Sequence, residues 1–278
     1  QYSLDERRCS MCEHLRDIVL SGDFLFVEEI PMSQTLKDNL SFILICLLIF
    51  VVILAVAYIL EKLLVKDRKK LGSTHFISYT AIFSAMAGFL MFLEIPLFFA
   101  PAFYEIDLSE IPILICTFYL GPVAGVVGEL LKIVVKLVLK GTTTAFVGDF
   151  ANFVVGCSFV LPASIVYHMN KGKKSALTGM IVGTLIMTVF GSLFNAVYLL
   201  PTFADLYGMP LDAIIAMGTE VNSAINSVST LVLFAVVPFN LIKGAIVTLL
   251  TMLLYKRISP LLHKGDKKLQ ERNAKKKA

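Results

Sequence analysis

Three sets of side chains in this sequence have the types and spacing to do chemistry. The stretch Pro101–Pro122, PAFYEIDLSEIPILICTFYLGP, puts Glu105, Asp107, Ser109 and Glu110 between two strongly apolar segments. Carboxylates and a hydroxyl flanked in this way belong to a loop that faces water or lines a polar cavity, where they accept hydrogen bonds from hydroxyl or amide groups. A second set, Glu129, Lys132 and Lys136, falls at i, i+3 and i+7 on one helical face. An acid and an amine so placed either touch a ligand or brace each other, and the spacing favours a bracing Glu129–Lys132 pair. The third set is Asn195 with Asn240 and Lys243, the last two at i, i+3 just after Pro238. A carboxamide offers two donors and an acceptor, which suits an amide- or imide-like ligand edge, and Lys243 adds a donor for a carbonyl or hydroxyl. Taken alone, Asn240 and Lys243 could equally satisfy each other or lie among lipid headgroups.

None of these sets is a recognisable catalytic centre. The chain has no His-Glu-x-x-His, no Gly-x-Ser-x-Gly and no Walker loop. His14, His75, His168 and His263 lie outside or at the ends of the apolar runs and read as interfacial or solvated. Cys9 and Cys12 form a lone C-x-x-C near His14, a weak metal or redox signal without a second pair. Cys46, Cys116 and Cys157 sit in apolar runs and read as small buried hydrophobes. The expectation is therefore a binding protein with no catalytic residues, no metal and no cofactor. An alternative is a membrane enzyme using Glu129, Lys132 and Asp149 as acid and base groups, and another is a scaffold that recruits a partner through its N-terminal helix.

The elements that must position these groups are membrane helices. Of the 278 residues 57% are hydrophobic and 17% charged, against about 25% charged in soluble domains, and the mean hydropathy is +0.79. Several runs reach the roughly 20 residues that cross a bilayer as a helix, and the alternation of a membrane β-barrel is absent. The fold class expected is an all-α integral membrane bundle. Apolar runs fall at 40–64, 76–99, 111–120, 123–139, 149–168, 175–200 and 223–255, with a polar outer connection at 201–222. The first run has a uniformly aliphatic outer surface and reads as a lipid-facing anchor rather than part of a site. In the second, Ala81 and Ala85 are small residues four apart, a spacing that lets another helix approach. Pro238 should kink the last run.

Five Lys and Arg lie at 62–70, three at 171–174 and nine at 256–277. With these clusters on one side, the positive-inside rule orients seven spans with the N-terminus outside and the C-terminus cytoplasmic. The basic tail suits anionic lipid rather than nucleic acid. The domain boundaries expected are an extension at 1–39, an extra transmembrane helix and basic linker at 40–70, a ligand-binding domain at 71–258 and a cytoplasmic tail at 259–278.

Several ordered motifs then resemble a known family. Tyr104-Glu-Ile-Asp-Leu-Ser-Glu-Ile-Pro112, Gly121-Pro-Val-Ala-Gly125, Glu129-Leu-Leu-Lys132, Gly148-Asp-Phe-Ala-Asn-Phe153 with Gly156, Asn195 before Leu200-Pro201, and Pro238-Phe-Asn-Leu-Ile-Lys243 together are similar to the riboflavin-specific S component of energy-coupling-factor (ECF) vitamin transporters. The resemblance covers roughly 76–258 and implies six helices around a vitamin pocket near the outer face of the bacterial cytoplasmic membrane. It implies ligand contacts at Phe103, Tyr104, Glu105, Asp107, Asn195, Asn240 and Lys243, with riboflavin as transported ligand. It implies that Ala81 and Ala85 dock on a transmembrane coupling subunit, with two cytoplasmic ATPases supplying the energy. The sequence departs from the family pattern at Ile133, Lys136 and Asp149, in a longer 201–222 connection, and in residues 1–70, which have no counterpart.

Overall fold

The computed structural model describes residues 32–65, 70–97, 101, 104–142, 144 and 146–275. Phe103, Cys9, Cys12, His14 and Lys66, Arg68 and Lys69 of the first basic cluster lie outside the described residues. The chain divides after Phe50 into two units, and the second, Val51–Ala278, carries the bundle and the candidate site.

Each of the apolar runs contains a helix. Helix α1 (Met32–Leu64) is followed by α2 (Thr74–Leu90), whose first turn is closed by the Ser73 hydroxyl accepting the Phe76 N–H at 3.2 Å. Helix α2 stops at Leu90, short of the expected Phe99, and the chain then forms a two-residue strand, β1 (Ile95–Pro96), antiparallel to β2 (Glu105–Ile106). Helices α3 (Glu110–Leu120), α4 (Pro122–Lys140), α5 (Val147–Met169) and α6 (Lys173–Phe194) follow. Among the described residues, four helical stretches are long and apolar enough to cross a membrane: Leu44–Leu64, Val147–Met169, Lys173–Leu206 and Val228–Tyr255. Helix α3, with 11 residues, is only about 16 Å long. All of it but Tyr119 is buried, and it packs on α2, α4 and α5, so it does not need to match the bilayer.

The connection at 201–222 is itself helical. A π-helical turn (Asn195–Leu199) leads from α6 into α7 (Leu200–Tyr207), and α8 (Leu211–Val221) follows. Proline lacks an N–H, and its ring meets the carbonyl of residue i−4 in an α-helix. The wider turn ahead of Pro201 accommodates both, so the helix continues where a break was expected. The same device recurs near the end of the chain. Helix α9 (Val228–Leu231) passes through a π turn (Val232–Val236) into α10 (Val237–Lys275), with Pro238 in the first turn of α10. Both turns sit beside the candidate site, a common place for this bulge.

Close packing of α5 on α6 rests on Gly179 and Gly183. A Cβ at Gly179 would lie 2.5 Å from the Ala163 carbonyl oxygen, and one at Gly183 would lie 2.6 Å from that of Phe159. The obstruction is backbone in both cases, so Gly179→Ala forces the helices apart. We expect a loss of about 1–3 kcal/mol, measured as a lower thermal-unfolding midpoint in detergent; an unchanged midpoint would mean the helices can separate freely.

The first helix is not aliphatic all round. Most of its apolar side chains from Leu44 to Leu63 are exposed, but Ala57, Glu61 and Val65 are buried as one stripe. Glu61 Oε2 accepts the Val123 N–H at 2.9 Å, filling one of the unpaired donors at the start of α4. Gly121, which links α3 to α4 at φ 121°, leaves room for it: a Cβ there would sit 2.9 Å from Glu61 Oε2.

A candidate ligand pocket

A cavity of about 210 Å³ lies among the β2–α3 segment, the start of α5, the π turn after α6 and the start of α10. Tyr104, Glu105, Asp107, Asn195, Asn240 and Lys243, separate in sequence, all line it. Phe103 lies outside the described residues, so its placement is not given. Within the loop the extended backbone turns neighbouring side chains to opposite faces. Glu105 is accordingly exposed between the buried Tyr104 and Ile106, and Asp107, past the end of β2, is buried.

Asp107 holds the loop to the last helix. Lys243 Nζ donates to Asp107 Oδ2 at 2.9 Å, and the Ser109 N–H donates to Oδ1 at 2.9 Å, joined there by the Ser109 hydroxyl. Burial pushes the Asp107 carboxyl up, but the Lys243 and Lys132 ammonium groups and the Ser109 hydroxyl outweigh it and hold it well below the usual carboxylate range. A second tie joins Tyr104 to the π turn. The Tyr104 hydroxyl donates to Asn195 Oδ1 at 2.7 Å, Asn195 Nδ2 donates to the Gly191 carbonyl at 3.2 Å, and the Tyr104 ring packs on Phe239 with centroids 5.5 Å apart. Asn240 is buried one turn from Lys243, with its amide beside Gly191.

Beneath the cavity lies a buried ionic cluster. Lys132 Nζ contacts Glu110 Oε1 and Glu129 Oε2, each at 2.7 Å, and donates to Ser109 Oγ at 3.1 Å. The Glu129–Lys132 bracing pair expected from i, i+3 spacing is present, and Glu110 joins it from α3. Lys136 pairs with Asp149 at 2.5 Å, so two of the departures from the family pattern are partners. Gly156 makes room for the cluster, since a Cβ there would lie 2.5 Å from Glu129 Oε2. Neither Glu129, Lys132 nor Asp149 lines the cavity. The acid–base set of the enzyme alternative therefore has no access to a ligand held there.

Sequence reasoning placed Ser109 and Glu110 on the acidic loop but named neither them nor Asn152 as a ligand contact. Glu110 Oε2 and Asn152 Oδ1 are buried acceptors without a hydrogen-bond partner, and both residues line the cavity with Gly156. The one-turn spacing of Asn152 and Gly156 was the available signal. His168 is also corrected: it is buried, with Nδ1 2.9 Å from the Ser164 carbonyl oxygen, and is not solvated. Outside the cavity, Ala81 is exposed and Ala85 half-buried, while Ala87 and Gly88 face inward. The space at Gly88 is bounded by Val135, so these two small residues serve packing on α4.

Comparison with known proteins covers the same residues as the bundle. The family described as ECF transporter, substrate-specific component, matches residues 75–255. The riboflavin transporter RibU of Staphylococcus aureus is 34% identical over 182 residues, 66% of this chain and 89% of that protein. The riboflavin transporter FmnP of Bacillus subtilis is 29% identical over 181 residues, 65% of this chain and 90% of that protein. A solved S component of a bacterial ECF transporter aligns with a TM-score of 0.53 and 34% identity, over 68% of this chain and 97% of that one. A buried polar cavity within an all-helical membrane bundle, and a match spanning that bundle, lead to one conclusion: this chain is a transport subunit rather than an enzyme, and belongs to the substrate-specific components of ECF transporters.

Proposed function

We propose that this chain captures riboflavin in the cavity bounded by Tyr104, Asp107, Asn195, Asn240 and Lys243 and presents it for ATP-driven uptake. The observation that carries this reading is the convergence of those side chains, from three segments far apart in sequence, on one recess. Asn240 and Lys243 suit the imide-like edge of the isoalloxazine ring, and Glu110 Oε2 and Asn152 Oδ1 suit the donors of the ribityl chain. The recess of about 210 Å³ is smaller than the roughly 300–1,000 Å³ of most small-molecule sites. Loop displacement at Tyr104–Asp107 therefore accompanies ligand admission and closes over the bound vitamin.

The orientation that follows puts the three basic clusters in the cytoplasm and the cavity toward the outer face. Residues 71–258 form the vitamin-binding domain, with 1–39 an outer extension, 40–70 an extra helix with its linker, and 259–278 a cytoplasmic tail. Ala81 and Ala85, on the outward face of α2, dock on a transmembrane coupling subunit. Two cytoplasmic ATPases drive release to the inside.

Titration of the detergent-purified protein with riboflavin tests the reading. Saturable quenching of flavin fluorescence is expected, and a colourless protein that leaves flavin fluorescence untouched would exclude riboflavin as the ligand. The cavity carries Glu105, Asp107 and Glu110 against Lys243, so a terminal phosphate meets like charge. Flavin mononucleotide should bind about tenfold or more weakly than riboflavin, a loss of about 1.4 kcal/mol; equal affinities would remove the acidic loop from ligand selection.

A further inference from the structure

A second recess, on the membrane face between α6 and α10, takes no part in the site above. It encloses about 590 Å³ between Leu177, Ile181 and Leu185 on one helix and Leu241, Leu249 and Met252 on the other. The two helices meet closely at a small residue beside it: a Cβ at Gly244 would lie 2.3 Å from Thr184 Cγ2. Thr184, on its floor, spends its hydroxyl on the Met180 carbonyl at 2.9 Å. Leu177, Ile181, Leu185 and Leu249 are all exposed, and both helices belong to stretches apolar enough to cross a membrane. The chemistry of the walls asks for a hydrocarbon occupant.

Charge at one end specifies which. Lys173 and Lys174 open α6 one turn before Leu177, and both are exposed. The N-cap is Gly172, which supplies no side-chain cap, and the first turn holds no acid, so the helix start offers free N–H groups as well as two ammonium groups. On the second helix Lys256 and Arg257 follow Met252 in sequence. No Asp or Glu occurs between Asp149 and Asp205, nor between Glu220 and Asp266, so no acidic residue adjoins Lys173–Lys174 or Lys256–Arg257 in sequence.

We propose that this groove holds an acyl chain of an anionic glycerophospholipid whose phosphate sits at the start of α6 on Lys173 and Lys174. A zwitterionic lipid fills the same apolar slot but brings a cationic group to the lysines. Selectivity for the anionic headgroup is therefore the signature of the site. The inference is independent of which vitamin occupies the polar cavity.

The test uses the full chain in phosphatidylcholine nanodiscs, doped with phosphatidylglycerol or phosphatidylcholine carrying a photoactivatable acyl chain, with cross-links mapped by peptide mass spectrometry. Phosphatidylglycerol is expected to label 177–185 and 241–252 about thirtyfold more than phosphatidylcholine, since each of the two lysines adds about 1 kcal/mol of attraction to an anionic lipid. Lys173→Gln with Lys174→Gln should bring the two lipids level without abolishing labelling. Ala245→Phe fills the recess and leaves every charge in place, so it should abolish labelling by both. Thr248→Leu is the milder version if the larger side chain impairs folding, which elution profile and thermal midpoint will show. Equal labelling of the two lipids by the natural sequence, cross-links spread outside the groove, or labelling indifferent to both filling variants would overturn the proposal. So would finding the groove occupied by a transmembrane helix of a partner instead of lipid.

Discussion

Replacing Lys132 by Met will destabilise the bundle more than any other single change on its polar side, by about 3–5 kcal/mol. Lys132 is fully buried and contacts Glu110 and Glu129 at 2.7 Å each, as well as Ser109 at 3.1 Å. Without the ammonium, two buried carboxyl groups face each other with no cation between them, and the uncompensated charge costs more than the ion pair contributes. The damage should also reach the ligand cavity, because Ser109 orients Asp107 and Asp107 holds Lys243. The measurement is the thermal-unfolding midpoint in detergent, compared with Lys132→Met/Glu129→Gln. Removing one carboxylate should restore part of the loss, with a coupling of about 0.5–3 kcal/mol. A single variant as stable as the natural chain, or a double variant with no recovery, would mean the cluster does not hold the bundle together.

Lys243→Ala will weaken riboflavin binding by roughly 10–150-fold, the equivalent of a charge-assisted hydrogen bond of about 1.5–3 kcal/mol. The residue holds two roles at once, a donor lining the cavity and the tie to Asp107 at 2.9 Å. Asp107→Asn separates them, since it removes the ion pair and leaves the ammonium in place. If Lys243 contacts the vitamin, its loss must reduce affinity more than Asp107→Asn does. If it only ties down the loop, the two variants will match and the loss will appear in the association rate. Asn240→Ala touches no part of that tie and should cost about 1–3 kcal/mol, by leaving a ligand donor or acceptor unpaired. Titration of flavin fluorescence reads all three variants.

Much of this was legible in the chain itself, for reasons that differ from residue to residue. Low charge content and long apolar runs determine a helical membrane bundle, because a backbone in hydrocarbon must satisfy its own hydrogen bonds. The i, i+3 spacing of Glu129 and Lys132 determines that they meet, since helical geometry alone puts them on one face. Polar residues inside apolar runs (Asn195, Asn240, Lys243) are too costly to face hydrocarbon, but the sequence left Asn240 and Lys243 free to pair with each other or to lie among headgroups, and the fold buries them.

Other features depend on contacts that no local pattern encodes. Lys243 and Asp107 are 136 residues apart, and Tyr104 and Asn195 are 91 apart; composition and periodicity say nothing about which distant partner each finds. Nothing local singles out Glu61, whose carboxylate accepts the Val123 N–H at the start of α4, 62 residues away. Pro201 marks a break in sequence, but the π turn before it lets the helix run on. The chain by itself determined which residues had to be buried and polar, because transfer of such groups into hydrocarbon has a large and local cost. Only the tertiary structure decided which of them satisfy one another and which still offer a hydrogen bond to a ligand, because pairing depends on how helices distant in sequence pack.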